Sequence, residues 1–401
     1  MKRSWLAVQV ALALVLALLF AGSAAARSSP KTTTKKSSTA TVKESSAAKK
    51  KATSVRKKKR PVRRARRRYV PRYKTSSYAT ADLTEEDATD GEDPLVRAAA
   101  IEALGNMNGT VVAIDPDSGR ILAMVNQKMA LAEGVKPCST IKMLPSLAAL
   151  TEGLTTPEEE VVIGRRRRQT FTMNMTRALA VSNNAYFEAL GRRVGFAKIR
   201  KYAQQLGLGE PAGYDIEGEH VGVLPAAPPK RGGVGRMCSF GEGIEMTPLQ
   251  LGAMVSAMAN GGTLYFLQHP RSPEQIADFR PMVKRQLDFS PEVMAQVLHG
   301  MSAAVTSGSA RSVLLNFNEE EILGKTGTCS NDGTRYGWFA SYANTQYGRI
   351  VLVVLLQGGA PTYGPRAAEL SGRIYRALYD RSYFAARDEQ PRREAVGAAS
   401  Q

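Results

Sequence analysis

The 401-residue chain is poor in cysteine, histidine and tryptophan, with three, three and two of them. Cys138, Cys238 and Cys329 are too few for a disulfide framework and match no metal spacing, so stability has to come from a buried core, and one thiol stays odd whatever pairs. His220, His269 and His299 have no neighbouring ligand pattern, so no metal, no cofactor and no Ser-His-Asp triad are expected. Acidic residues are scarce in one stretch only. Residues 27–75 hold 20 Lys or Arg against Glu44 alone, whereas residues 76–401 carry 33 basic and 35 acidic side chains, so the formal charge of +19 belongs to a tail. A basic fold built to grip nucleic acid is not expected. The same stretch, from Arg27 to about Tyr78, has almost no large aliphatic side chains, and burial there cannot offset the entropy of ordering.

What is present divides the chain into four parts. Met1, Lys2 and Arg3 precede an apolar run from Trp5 to Phe20 and small residues through Ala26, the layout of a secretory signal peptide, with an uncleaved membrane anchor as its rival. Residues 27–93 read as a disordered basic tether, densest from Arg56 to Arg68, which suits anionic lipid heads or a wall polymer once export is granted. Residues 94–385 read as one enzyme-sized domain and 386–401 as a polar tail. Helical spacing from Leu95 to Leu104 stops at Gly105, and a hairpin follows with Thr110 to Asp115, a Pro116–Gly119 turn and Ile121 to Val125. Helical periodicity then dominates from Ser139 to about Gly262, including Ser139 to Leu150, Met175 to Leu190 and Thr247 to Ala259. Three β-runs, Ile322 to Thr328, Gly337 to Ala343 and Ile350 to Gln357, precede a last helix with Leu370, Ile374 and Leu378 on one face. The expected fold is α+β: one antiparallel sheet of about five strands, its first hairpin meeting its last three strands, flanked by helices and carrying an all-helical subdomain.

Ser139 and Lys142 lie three apart where a helical pattern opens, so they share a face, and a neutral Lys142 amine can take the Ser139 proton. SxxK alone is a poor signal, since Ser28 to Lys31, Ser46 to Lys49 and Ser54 to Lys57 match it inside the tail. It gains weight from Ser182-Asn183-Asn184 and from Lys325-Thr326-Gly327-Thr328, which follow in an order that marks penicillin-binding proteins and serine β-lactamases. KPCSTIKMLPSLAAL ending at Leu150, TRALAVSNNAYFEAL ending at Leu190, SFGEGIEMTPLQLGAMVSAMANGGTLY ending at Tyr265, and VVAIDPDSGRILAMV are similar to blocks of penicillin-binding transpeptidase domains. The chain is identified on these blocks as a member of the serine penicillin-recognising superfamily, closest to the class B proteins.

The resemblance implies a D,D-transpeptidase acting through a serine acyl-enzyme on D-Ala-D-Ala stem peptides outside the cytoplasmic membrane, with β-lactams as covalent inhibitors and cell-wall synthesis proteins as partners. It makes Ser139 the nucleophile and Lys142 its base. Ser182 would relay a proton to the leaving amine, and Asn184 would hold a substrate carbonyl. Lys325 would supply positive potential, Thr326 and Thr328 would bind the terminal carboxylate, and Gly327 would keep the strand face open. The backbone N–H groups of Ser139 and Thr328 would form the oxyanion hole. A D,D-carboxypeptidase or class D-like β-lactamase is the nearest alternative, with Tyr336-Gly337-Trp338-Phe339 reminiscent of the latter. A non-catalytic wall-peptide-binding or scaffold protein is the alternative of another class. Relatives commonly have glycine where this chain has Cys138. The three cysteines beside site-lining segments are read as small buried residues rather than a disulfide or an oxidisable thiol. The Arg165 to Arg168 run is read as a solvated edge, with an anionic wall polymer as the rival.

Overall fold

A computed structural model describes residues 73–385, apart from Arg168 and Tyr347. The proposed signal or anchor, the densest part of the basic run and the 386–401 tail lie outside the described residues. The central sheet has five antiparallel strands in the order β2-β1-β9-β8-β7: β1 (Gly109–Ile114), β2 (Ile121–Val125), β7 (Glu321–Asn331), β8 (Thr334–Thr345) and β9 (Gly348–Gly358). The first hairpin does meet the last three strands, through β1 against β9. Both faces are covered, which explains runs of uninterrupted apolar residues in place of a polar alternation. Side chains alternate between two cores. Val111, Ala113, Leu352 and Val354 pack with helix α1 (Pro94–Leu104) and α11 (Gly364–Asp380), while Val112, Ile114, Val351 and Val353 pack against the helical segment.

Local chemistry sets the helix ends. Asp93 caps α1 by accepting from the Leu95 and Val96 amides, Pro94 occupies its first turn, and Gly105 ends it at φ +54. The helix from Pro248 to Ala259, α8, begins with a reciprocal capping box between Thr247 and Gln250. The remaining helices of the insertion are α2 (Gln127–Leu131), α3 (Met143–Thr151), α4 (Met175–Ala180), α5 (Asn184–Val194), α6 (Phe196–Gln205), α7 (Gly233–Phe240), α9 (Pro273–Ala277) and α10 (Pro291–Thr306). The segment expected to be all helical is helical in the main. It also holds two short two-stranded ladders, β3 (Val161–Arg166) with β4 (Gln169–Met173), and β5 (Thr263–Tyr265) with β6 (Val283–Gln286). Arg165, Arg166 and Arg167 lie at the end of the β3–β4 hairpin, Arg167 at φ +55, and all three are exposed.

One boundary needs correcting. The folded unit does not start at Pro94, because residues from Tyr73 onward already pack on the domain. The Lys74 amide donates to the Gly333 carbonyl at 2.7 Å, the Ser77 and Thr362 hydroxyls lie 2.9 Å apart, and the Asn108 amide donates to the Ser77 carbonyl at 2.9 Å. Asp87 and Glu92, inside the stretch expected to be tether, form a buried anchor. Arg97 donates to Asp87 and to Glu92, each at 2.8 Å, and both carboxylates are almost fully buried. Asp87 also accepts from the Asn126 and Gln127 amides, and Glu92 from the Met124 amide. Polar composition concealed this strap because its stability comes from paired charge rather than from apolar area. Among the described residues no helix is long and apolar enough to cross a membrane.

Candidate active site

Ser139 sits in a 3-10 turn, Cys138–Lys142, that runs directly into α3. The tight turn has three residues per turn, so residues three apart eclipse, and the Lys142 nitrogen comes within 2.6 Å of the Ser139 hydroxyl. Lys142 is fully buried, and its amine also donates to Asn184 Oδ1 at 2.8 Å and to the Ser239 carbonyl at 2.7 Å. Phe187 and Phe240 wall the amine at 5.7 and 5.9 Å. Burial first, and the charge of Lys325 second, hold Lys142 well below the ordinary lysine range, with Glu188 opposing. A neutral amine has two N–H groups and one lone pair. Two acceptor-only oxygens, Asn184 Oδ1 and the Ser239 carbonyl, take the two N–H groups, so the lone pair is left for the Ser139 O–H.

The helix expected over Met175 to Leu190 is broken. α4 ends at Ala180, Ser182 stands at φ +58, and α5 restarts at Asn184 with Asn183 as its cap. A non-glycine residue in the left-handed region is costly, and that conformation persists here at a functional loop. The break sends Ser182 and Asn184 into the cleft in place of the spacing of a continuous helix. Lys325, fully buried on edge strand β7, donates to Ser182 Oγ at 2.9 Å and to the Thr326 carbonyl at 3.0 Å. Burial pushes its amine down to about 7. The Thr328 hydroxyl accepts from the Gly364 amide at 2.7 Å, which leaves its own O–H free to donate. A Cβ on Gly327 would stand 3.0 Å from the Pro137 carbonyl and 3.2 Å from the Thr140 methyl, so glycine lets β7 approach the nucleophile turn.

All the expected site residues therefore converge: Ser139, Lys142 and Asn184 in one cluster, Ser182 and Lys325 in the next, with Thr326, Gly327 and Thr328 along the strand. Sequence reasoning missed several supports. Ser309 lies 2.6 Å from the Thr326 hydroxyl, and its amide donates to the Ala180 carbonyl, tying the Ser182 loop to β7. The carbonyl of Ser239 fixes Lys142, and nothing in SFGEG marks a backbone acceptor. The expectation for the cysteines is overturned in part. Cys138 and Cys329 form a disulfide across 191 residues with Cα atoms 5.5 Å apart, while Cys238 is the odd, buried thiol, pushed up to about 12 by burial. Their adjacency to site segments was visible, but three cysteines give three pairings and only the fold selects one. Cavities of 420 Å³ lie elsewhere, at Ala99, Glu102 and Arg376 and at Asp215, Glu217 and His269, so concavity alone would not have found this cleft.

The penicillin binding protein transpeptidase domain matches residues 109–380. The chain belongs to that family. It is 28% identical over 260 residues to the stage V sporulation protein D of Bacillus subtilis, covering 54% of this chain and 39% of that protein. It is 24% identical over 356 residues to the peptidoglycan D,D-transpeptidase PbpA of Mycobacterium tuberculosis, covering 72% of this chain and 70% of that protein. A crystal structure of Pseudomonas aeruginosa PBP2 superposes with a TM-score of 0.59 at 22% identity, over 71% of this chain and 76% of that one, and supports the fold.

Proposed function

We propose that this family member is a peptidoglycan D,D-transpeptidase that forms a serine acyl-enzyme on D-Ala-D-Ala stem peptides and is acylated by β-lactams. The observation that carries the reading is the Lys142 amine, buried with no carboxylate partner among the described residues and held by two acceptors so that its lone pair meets the Ser139 hydroxyl 2.6 Å away. Ser139 Oγ attacks the penultimate carbonyl carbon as its proton passes to Lys142. The N–H groups of Ser139 and Thr328 receive the oxyanion, an arrangement worth some 10² to 10³ in rate. Asn184 spends its carbonyl on Lys142, so its amide N–H₂ remains for a substrate carbonyl. The Ser182 hydroxyl, beside Lys325, hands a proton to the departing D-Ala nitrogen and regains one as Lys142 gives up the proton taken from Ser139, so that Lys142 is neutral again for the second step. Lys325 and the free Thr328 O–H hold the terminal carboxylate. An acceptor amine then attacks the ester, Lys142 taking its proton and returning one to Ser139.

The apolar run at the N-terminus supports an exported or membrane-held enzyme acting on the outer side, and the basic stretch from Arg56 supports contact with anionic lipid or wall polymer. Labelled penicillin tests the reading: covalent label on wild-type protein, abolished in Ser139→Ala, is expected. Well-folded wild-type protein that takes no label would leave a wall-peptide-binding role instead. Mass spectrometry with a D-Ala-D-Ala peptide, with and without an acceptor amine, then separates cross-linking from simple trimming or β-lactam hydrolysis.

A further inference from the structure

The Cys138–Cys329 bridge lies where the two halves of the cleft meet. Cys138 directly precedes the nucleophile and opens its 3-10 turn; Cys329 directly follows Thr328 on β7. The two backbone amides assigned to the oxyanion hole thus belong to residues covalently next to the two bridged cysteines, 5.5 Å apart at Cα. The turn is held at its far end by Lys142, whose amine donates to Asn184 Oδ1 and to the Ser239 carbonyl. At its near end Cys138 has φ +54, a left-handed conformation in which a side chain is strained. Two weaker contacts join the same segments. Trp338, paired with Gly327, donates its indole N–H to the Lys136 carbonyl at 3.1 Å, and Gly327 abuts the Pro137 carbonyl. Neither constrains Cys138 itself. Cys238, the third thiol, is buried against Gly191 and takes no part.

We infer that the Cys138–Cys329 disulfide is a positioning clamp for acyl transfer, holding a non-glycine residue in the left-handed turn before Ser139 and setting the span between the Ser139 and Thr328 amides. This rests on the acyl-transfer reading above. The clamp acts on the transition state more than on capture of the β-lactam, because the oxyanion donors are engaged as the tetrahedral centre forms.

The test compares penicillin acylation kinetics of oxidised wild-type protein, of the same protein reduced by dithiothreitol under native conditions, and of Cys329→Ala. Reduction breaks the S–S bond, leaves two thiols and turns the reagent into its cyclic disulfide; intact mass reports the two added hydrogens. Rates are taken on native monomer well below its thermal midpoint, so lost stability does not pass for lost positioning. The expected result is a tenfold or greater fall in the acylation rate constant at saturating penicillin, with the half-saturating concentration changed less than threefold, and full recovery when the reduced wild type is reoxidised. Cys138→Gly/Cys329→Ala relieves the backbone without the bridge and stands in if Cys329→Ala does not fold; it is expected to stay at least fivefold below wild type. Equal rates in oxidised and reduced protein, or full wild-type rates in the double variant, would overturn the clamp alone. Oxidised wild-type protein that is never labelled at Ser139 would overturn the acyl-transfer reading first.

Discussion

The strap before the first helix and the catalytic cleft both bury cations and treat them in opposite ways. At the strap, Arg97 is enclosed with two carboxylates, Asp87 and Glu92, and their remaining oxygens accept backbone amides. At the cleft, Lys142 and Lys325 are at least as deeply buried, and among the described residues neither has a carboxylate within ion-pair distance. A buried charge has to be paired or neutralised. The strap pairs, which makes structure. The cleft neutralises Lys142, which leaves an amine lone pair beside a hydroxyl and makes chemistry. The residue types fit this division, since arginine does not give up its proton in proteins whereas lysine shifts readily when desolvated.

The sharpest way to break the contrast is to exchange the consequences. Lys142→Met is expected to lower the penicillin acylation rate by about 10² to 10⁴, the usual worth of a positioned general base, while the thermal midpoint moves far less than at the strap. A variant acylating within tenfold of wild type would remove the base from the scheme. Arg97→Ala should do the reverse. It leaves two buried carboxylates without their cation and is expected to cost about 3–5 kcal/mol in urea unfolding, with acylation unchanged in the folded protein.

A pH series tests the cleft half alone. With Lys325 near 7, acylation by a carboxylate-bearing β-lactam should decline on the alkaline side as that cation is lost, and on the acid side as Lys142 gains a proton. Lys325→Arg, which keeps its charge, should flatten the alkaline limb. Stability carries the opposite sign. Between about 7 and the ordinary lysine value of 10.5 the unfolded chain binds a proton that the folded Lys325 does not, so unfolding free energy should rise with pH over that window, at about 1 kcal/mol per unit. A flat stability profile there would place Lys325 in a wetter site. The smallest effect belongs to the surface: Glu188→Gln removes an i,i+4 partner of Arg192 at 3.5 Å and should change stability by less than about 0.5 kcal/mol, while moving the acid limb slightly lower because Glu188 supports the Lys142 proton.

The elements that were legible in the sequence carry their signal locally. The strand runs, the α1 and α8 caps and the face of α11 with Leu370, Ile374 and Leu378 all follow from neighbouring residues, and the SxxK, SxN and KTG segments follow from their order. What was hidden depends on distant partners or on one dihedral. No glycine announces the left-handed Ser182 that splits the expected helix, so periodicity runs through it. Ser309 looks like a loop serine until the fold sets it against Thr326. The strap reads as disordered tether because its acids serve a cation that only the fold encloses, and the strand pair that carries Arg165 and Arg166 is too short to stand out behind what reads as a solvated edge.

The sheet order has a further consequence for biogenesis. β1, made early, lies between β2 and β9, and β9 is among the last strands to leave the ribosome. Until then the β1–β2 hairpin has one unsatisfied row of amides and carbonyls, a ready template for a neighbouring nascent chain. Assembly of the sheet has to wait for pairing across almost the whole domain, which makes folding slow for its size and ties yield to whatever keeps that early edge apart from its copies.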